Sequence, residues 1–394
     1  MSQKTGVMEN LKVQGFGPIK NVDVAFGDLT LLVGPQASGK SLFLELFKLM
    51  KDRLHIVDVL KKYSYILSPT DASPIMENYF GEGLGNLITE ETCIETDGIP
   101  FSDKTLLKAL KSTSVTGESV FYIPAQRILA ISDGRPKNFM EFDSTTPYVL
   151  RNFSEILRVF VQGGLGNPDI VFPMRNRLKS SVRSFIDRTI FHGAKVVIDP
   201  SGGQRKMKLD TGETRLPFMA WSAGQKEFMP LLLAMYCLSG SPTAVVNKEN
   251  YKWVIIEEPE MGLHPRAIET VILQIIELLQ AGYQVIVSTH STTLLEFAWV
   301  FESLKKISSE DFKSALCDLF EVSPQSTVAS LFDSLAEKEI KSFFFSNQQH
   351  GGVESTDITS LDVSSREQMV AEWGGLSSFA TRASDVVSSY YQSE

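Results

Sequence analysis

Gly34-Pro35-Gln36-Ala37-Ser38-Gly39-Lys40-Ser41 is the stretch that decides the fold. The apolar run Leu29-Thr30-Leu31-Leu32-Val33 before it predicts a buried strand, and Leu42-Phe43-Leu44-Glu45-Leu46-Phe47 after it predicts the opening turns of a helix. A strand, a glycine-framed turn, Gly-Lys-Ser and a helix make a phosphate-binding loop. Gly34 and Gly39 let the backbone curl so that successive N–H groups point inward at phosphate oxygens. The helix N-terminus adds partial positive charge. Lys40 is placed to reach the outer phosphates, and the Ser41 hydroxyl to hold Mg²⁺. Residues 34–41 are therefore expected to bind a nucleoside triphosphate.

The bulk numbers bound the rest. A chain of 394 residues is long for one core and predicts two lobes or domains. Its 43% hydrophobic and 22% charged residues are those of a soluble globular protein. A net charge of −9 argues against nucleic-acid binding through overall charge and leaves only a local basic patch for it. Cys93, Cys237 and Cys317 are scattered, which argues against a disulfide framework or zinc site and fits a reducing cytoplasm. The first ten residues are polar and lack a signal peptide's apolar run. The densest apolar stretch, 231–238, falls far short of the ~20 residues of a membrane span. A cytoplasmic protein with no membrane partner is expected.

Outward from the loop, residues 11–16 and 21–26 predict two strands turning at Gly17-Pro18. Residues 52–67 have helical apolar spacing, and 71–90 predict a loop or short lid. Residues 92–101 predict a hairpin turned at Asp97-Gly98. Val120-Phe121-Tyr122-Ile123 predicts a buried strand that ends at Gln126-Arg127. Beyond it, Arg175, Lys179 and Arg183 recur every four residues and predict one basic helical face. Two readings of that face stand, a solvated surface and a contact for nucleic acid or an acidic partner. Residues 195–199 and 205–210 predict a second hairpin. Trp253-Val254-Ile255-Ile256 and Gln284-Val285-Ile286-Val287-Ser288 predict two more buried strands, with a helix from Pro265 to about Gly282 between them. Strands alternating with helices imply an α/β fold with a largely parallel sheet and ligands at the strand carboxyl ends.

Chemistry gathers at those ends. Glu257 and Glu258 close one strand. Glu257 is placed to bind Mg²⁺, and Glu258 to orient and polarise an attacking water. Two solvated carboxylates are the plainer alternative, weakened by the neighbouring phosphate loop. His290 closes the next strand, within reach of a γ-phosphate. Ser222-Ala223-Gly224-Gln225 precedes the apolar stretch 228–238, which predicts a helix start. Ser201-Gly202-Gly203-Gln204 has similar letters, but charged Arg205-Lys206-Met207-Lys208 follows it, and it predicts a hairpin turn instead.

Phosphate loop, Ser-Ala-Gly-Gln, apolar strand with Glu-Glu, then a strand ending in His is the motif order of the ATP-binding-cassette ATPases, which this chain resembles. Glu257-Glu258-Pro259-Glu260-Met261-Gly262-Leu263-His264-Pro265 narrows the resemblance to cassette ATPases grouped with the overcoming-lysogenization-defect (OLD) and RecF proteins, cousins of the SMC heads. Gly15-Phe16-Gly17-Pro18-Ile19, Thr289-His290-Ser291 and Trp373-Gly374-Gly375-Leu376 agree. The resemblance covers 10–300 with a gap at 132–219. It departs at Gln36-Ala37, where Asn-Gly is commoner, and at Glu257, where Asp is usual.

What the resemblance implies is concrete. The fold is a P-loop NTPase with a mixed, largely parallel sheet and an inserted helical and β-hairpin lobe. Its parts are an N-terminal head portion 1–131, the insertion 132–219, a C-terminal head portion 220–345 and an acidic docking segment 346–394. ATP and Mg²⁺ are the ligands. Ser222, Gly224 and Gln225 cap ATP bound to a second copy, giving a homodimer or higher homo-oligomer with ATP between heads. Gln126 touches Mg²⁺, and Arg127 beside it contacts a phosphate or partner. Lys40, Glu258 and His290 act in hydrolysis. The family setting is phage defence or toxin–antitoxin pairs, with a separate effector, a nuclease or toxin, and no nuclease in this chain. Two alternatives remain, a DNA-repair or DNA-tethering head and a non-hydrolytic scaffold glued by ATP. A transporter subunit fits least.

Overall fold

The computed structural model describes residues 9–391, apart from 115, 116, 166–168, 201, 202, 204, 242, 244, 349, 350 and 377. The turn expected at Ser201-Gly202-Gly203-Gln204 therefore lies mostly outside the described residues. The strands in chain order are β1 (Asn10–Phe16), β2 (Ile19–Ala25), β3 (Leu29–Val33), β4 (Cys93–Thr96), β5 (Ile99–Phe101), β6 (Val120–Ile123), β7 (Ile131–Ser132) and β8 (Arg135–Pro136). There follow β9 (Ile170–Phe172), β10 (Lys195–Asp199), β11 (Lys206–Asp210), β12 (Arg215–Pro217), β13 (Trp253–Glu257), β14 (Gln284–Thr289), β15 (Ile340–Gln348) and β16 (Gly352–Asp357). The helices used below are α1 (Lys40–Lys62), α2 (Ser73–Phe80), α3 (Asp103–Lys111), α4 (Tyr148–Val159), α5 (Ser180–Ile186), α6 (Ala223–Ser239), α7 (Pro265–Gln280) and α8 (Thr292–Leu304).

The main sheet has ten strands in the order β5-β4-β1-β2-β16-β15-β3-β14-β13-β6. Its centre, β15-β3-β14-β13-β6, is parallel, and the hairpins β1–β2, β4–β5 and β15–β16 make the rest mixed. Alternation along the central strands explains why they are apolar throughout. Leu31, Val33, Val254, Ile256, Val285 and Val287 face one core. Leu32, Ile255 and Ile286 face the other. Both faces are covered by helices, as a buried parallel strand requires. Phe43, Leu46 and Phe47 of α1 belong to the second core, and Leu231–Leu233 of α6 with Val271 and Ile275 of α7 to the first.

Register places the site. Val33 pairs with Thr289, Glu257 with Ser288, and Ile256 with Ile123. The carboxyl ends of β3, β14, β13 and β6 thus share one edge, carrying the phosphate loop, His290, the acidic pair and Gln126 to the same rim.

Several expectations change. Residues 71–90 contain a helix, α2, started by Pro74 in its first turn. The helical spacing read at 42–47 and 52–67 falls in one helix, α1, which ends at Lys62 and has Asp52 as a non-helical joint (φ −108°, ψ 17°). The joint has a cause. Asp52 accepts from Ser119 N at 2.8 Å, Ser119 Oγ at 2.6 Å and Val120 N at 3.0 Å, so its carboxylate is pulled onto the start of β6. Arg175 and Lys179 precede α5, so the basic helical face does not form. Arg183 turns inward and donates to the carbonyls of Arg175 and Leu178, both at 3.3 Å. The boundary expected at 345/346 falls inside β15, because β15 and β16 fill the gap between β3 and β2. Further on, Trp373 docks through Nε1 donating to Leu361 O at 3.0 Å, and a Cβ on Gly374 would sit 2.4 Å from the Phe344 ring. The second sheet, β12-β11-β10-β9, comes wholly from within 132–219. Among the described residues no helix is long and apolar enough to cross a membrane.

Candidate functional site

The turn after β3 works only with glycine at its ends. Gly34 has φ 151°, and a Cβ there would lie 2.3 Å from the carbonyl oxygen of Phe345 on β15. Gly39, at φ 74°, caps α1 in the left-handed region. Ala37 also sits there, at φ 58°, where an L side chain is strained. That strain accounts physically for the commoner glycine at this place. Pro35, Gln36 and Ala37 are exposed, whereas Ser38 is buried. Lys40 is buried too. Its Nζ donates to Gly34 O at 2.8 Å, Pro35 O at 2.9 Å and Ser38 Oγ at 3.1 Å, so the ammonium lies under the arch of the loop. Burial pushes its pKa down, against the pull of Glu258, Glu257 and Glu260.

Glu257 is almost fully buried. Oε2 accepts from Ala125 N at 3.2 Å, whereas Oε1 has no hydrogen-bond partner. Burial drives the carboxyl pKa up, and the Ser41 and Tyr122 hydroxyls that face it pull it partly back. A sealed, orphaned carboxylate oxygen beside a serine hydroxyl is a hard oxygen donor set, which fits a divalent cation such as Mg²⁺. Gln126 is exposed next to Ala125, at the start of a short 3-10 turn.

Glu258 is the strained member, with φ 40°. Its N–H donates to Ser288 O at 2.8 Å, and its Oε1 lies 3.3 Å from His290 Nε2. The His290 contact, more than any other influence, holds the Glu258 carboxyl below its ordinary pKa of 4.5. Its backbone is gripped from behind by Arg127, whose side chain is fully buried. Nη1 donates to Glu257 O at 3.1 Å and Glu258 O at 3.2 Å. Nη2 donates to Glu258 O at 3.2 Å and Pro259 O at 3.4 Å, and Nε to Glu227 O at 3.1 Å. Arg127 is therefore a backbone clamp, and the expectation that it meets a phosphate or partner is corrected. Charge-assisted bonds of this kind contribute about 1.5–3 kcal/mol each when buried.

One further group was given no role from sequence. Glu260 Oε1 accepts from Thr289 Oγ1 at 2.8 Å and from His290 N at 2.6 Å, tying the end of β13 to the end of β14. Its position two residues after the acidic pair was the available signal, since only an acceptor there can bind the N–H beyond β14. The clamping role of Arg127 carried no sequence signal, because its partners are backbone carbonyls of distant residues.

Ser222, Gly224 and Gln225 form a separate feature at the start of α6. Ser222 and Gln225 exchange side-chain and backbone bonds as a capping box, with Gln225 N to Ser222 Oγ at 3.2 Å and Ser222 N to Gln225 Oε1 at 3.1 Å. Gln225 Nε2 also donates to Ile190 O at 3.2 Å. A Cβ on Gly224 would meet Gly262 O at 2.9 Å, so this turn packs on the segment that follows Glu258. Among the described residues no hydrogen bond joins residues 222–225 to residues 34–41. The structure thus brings together Lys40, Ser41, Glu257, Glu258 and His290 on one rim, and sets Ser222, Gly224 and Gln225 apart.

Topology and the rim define a P-loop NTPase-like α/β fold with a mixed, mostly parallel sheet. The family model described as "AAA domain, putative AbiEii toxin, Type IV TA system" matches residues 127–296. That span runs from the clamping arginine past His290, and includes the 132–219 segment where the motif resemblance has a gap. The "Old nuclease" of Escherichia phage P2 is 35% identical over 72 residues, 18% of this chain and 12% of that protein. The chain therefore matches about an eighth of that relative's length. Among solved structures, an SMC head bound to the C-terminal winged-helix domain of ScpA aligns at 13% identity and TM-score 0.40, covering 89% of this chain and 97% of that one. The SMC head domain from Thermotoga maritima aligns at 16% identity and TM-score 0.34, covering 74% and 92%. A dimeric bacterial ABC transporter cassette aligns at 12% identity and TM-score 0.32, covering 73% and 90%.

Proposed function

We propose that this chain is an ATP-dependent switch. Two copies hold ATP and Mg²⁺ between residues 34–41 of one and Ser222, Gly224 and Gln225 of its mate. Hydrolysis resets the pair, which controls a separate nuclease or toxin in defence against phage. The observation that carries the reading is Glu258, held in a strained backbone by a buried arginine, with its carboxylate against His290 and charge-coupled to Lys40. Strain kept in place by over-determined contacts gathers where chemistry is done.

Each residue has a role in this reading. Lys40 leaves its carbonyl contacts for the outer phosphates. Ser41 and Glu257, with Gln126 beside them, hold Mg²⁺, which neutralises charge on the β- and γ-phosphates. Glu258 orients the attacking water and accepts its proton, and its lowered pKa keeps it ionised for that task. His290, fixed by Glu260 through its backbone N–H, positions the Glu258 carboxylate and faces the γ-phosphate. The capping box takes the Gln225 amide and leaves those of Ala223 and Gly224 to meet the phosphates of the opposite copy.

ATPase assays and sedimentation with and without ATP test the reading. Glu258→Gln should lose roughly 10²–10⁴ of the rate and accumulate ATP-dependent dimers, whereas Lys40→Ala should lose both hydrolysis and dimers. An unchanged rate in Glu258→Gln would remove Glu258 from the mechanism. Retained control of the partner in Glu258→Gln, with the rate lost, would favour the non-hydrolytic scaffold. DNA cleavage by the purified chain alone would overturn the separate effector.

A further inference from the structure

Away from the rim, β7–β8, α4 with the helical turn Phe160–Gly164 that continues it, and the residue before β11 surround a cavity of about 340 Å³. Its walls are Arg135, Pro136, Arg158, Val161, Gln162 and Arg205, three guanidinium groups with no carboxylate among them. Arg158 is fixed in place. Nε and Nη2 donate to Glu155 at 2.9 and 2.7 Å, and Nη1 donates to Gln162 Oε1 at 2.7 Å. Two of its five N–H groups remain for another acceptor. Arg135 meets Glu141 only at 3.6 Å, and Arg205 is exposed with no ion pair among the described residues.

The surrounding charge does not balance. Asp133 is taken by Lys206, Glu141 by Arg135 and Glu155 by Arg158. Arg205 and Lys137, which lies over the Phe142 ring at 4.7 Å, are left in excess. A positive excess in a chain of net charge −9 is a local feature that the total hides. The walls are also firm. The Ser154 hydroxyl of α4 lies 2.9 Å from Ala130 O and 2.7 Å from Lys137 O, at the two ends of the hairpin. Met207 N donates to Gly134 O at 2.8 Å, which ties the hairpin tip to β11. Like charges gathered on a rigid frame raise the free energy of the empty site, and an anion relieves it.

We propose that this cavity is a phosphoryl-anion site, filled by a nucleotide phosphate or by a phosphate of a nucleic-acid backbone. Planar guanidinium forks suit phosphate oxygens, and Pro136 with Val161 supplies an apolar wall that strengthens the pairing. The site is separate from residues 34–41 and does not depend on the switch reading.

Fluorescence anisotropy with labelled single-stranded and duplex oligodeoxynucleotides, and calorimetry with inorganic phosphate, test it in Lys40→Ala protein, where the phosphate loop contributes least. The R135E/R205E variant should bind at least tenfold more weakly. Raising salt from ~50 to ~200 mM should weaken binding roughly fortyfold for duplex and roughly twentyfold for single strands if about three phosphates are neutralised. Binding of oligonucleotides alone identifies a nucleic-acid backbone, and binding of phosphate as well identifies a free phosphoryl ligand. Should R135E/R205E misfold, the exposed single change R205Q should still cost several-fold. Failure of every probe to bind, or equal binding by the folded variants, overturns the proposal.

Discussion

Two clusters of buried charge sit in the same head, and they are finished to different degrees. At the carboxyl edge, Glu257 Oε1, Glu260 Oε2 and Glu227 Oε2 are buried without hydrogen-bond partners. Deeper along α1, Lys48 is buried between Asp52 at 3.2 Å and Glu118 at 2.5 Å, and it also donates to Val120 O at 2.8 Å. Glu118 additionally accepts from Asn152 Nδ2 at 2.7 Å and Tyr251 OH at 3.0 Å. No side-chain atom of Lys48, Asp52, Glu118 or Asn152 is among the buried, unpartnered ones. The satisfied cluster holds architecture in place. The unsatisfied one leaves acceptors for a ligand to complete.

The sharpest break of this comparison is Lys48→Met. Removing one partner of a buried ion network leaves the carboxylates uncompensated and should cost about 3–5 kcal/mol. Denaturant unfolding measures it, and the ATPase rate per folded molecule should hold. The loss should depend on pH with a known sign. Burial alone would raise the Glu118 pKa, but the Lys48 ammonium, together with His55 and the Tyr251 hydroxyl, more than offsets this and holds it below its ordinary value. A carboxyl lowered in the folded state contributes stability above its unfolded pKa, and that stability is lost as pH falls through the folded pKa. Wild type should therefore lose stability across that acid window, and Lys48→Met should lack this contribution. A loss of hydrolysis with unchanged stability would show that the two clusters are not distinct in kind.

Arg127→Lys probes the join between structure and chemistry. Lysine keeps the charge but not the fork that spans Glu257, Glu258 and Pro259 carbonyls. Stability should fall by roughly 2–3 kcal/mol, since buried carbonyls lose charged donors. The ATPase kcat should fall at least tenfold with little change in KM, because Glu258 loses its position while residues 34–41 do not. A change confined to KM would instead place Arg127 in nucleotide binding.

The contrast also explains what the sequence made legible. The rim could be read because each group follows a strand end, and parallel register carries strand ends to one edge. Residues 34–41, Glu257, Glu258 and His290 are set by local pattern. Lys48, Glu118 and Arg127 are set by partners about a hundred residues away or only by tertiary contact, and a lone charged residue inside a helix reads as solvated. The basic face at 175–183 failed for a related reason. Spacing of four suggested a helix, but Arg183 supplies donors to the carbonyls of an irregular turn before α5. The strand β16 was hidden because 346–394 was read by its acidity, and most of β15 lies in 340–345, which was given no strand, although Phe343 and Phe345 alternate into the core beside β3.

The smallest effect tests the rim from the opposite side. Ala37 adopts φ 58°, and its carbonyl accepts from Asn347 Nδ2 at 3.4 Å on β15, so the loop is held in its curl from outside. A left-handed alanine costs about 1–2 kcal/mol relative to a residue without a Cβ, partly offset by glycine's greater freedom when unfolded. Ala37→Gly should thus raise stability by no more than about 1 kcal/mol and leave Lys40 in its contacts. If the loop's curl is stored strain that nucleotide binding uses, ATP affinity should also change in Ala37→Gly. If the curl is merely tolerated, only the unfolding midpoint should move. Calorimetric ATP binding beside thermal unfolding separates the two, and it asks of one backbone angle whether the unfinished cluster is strained for function or simply incomplete.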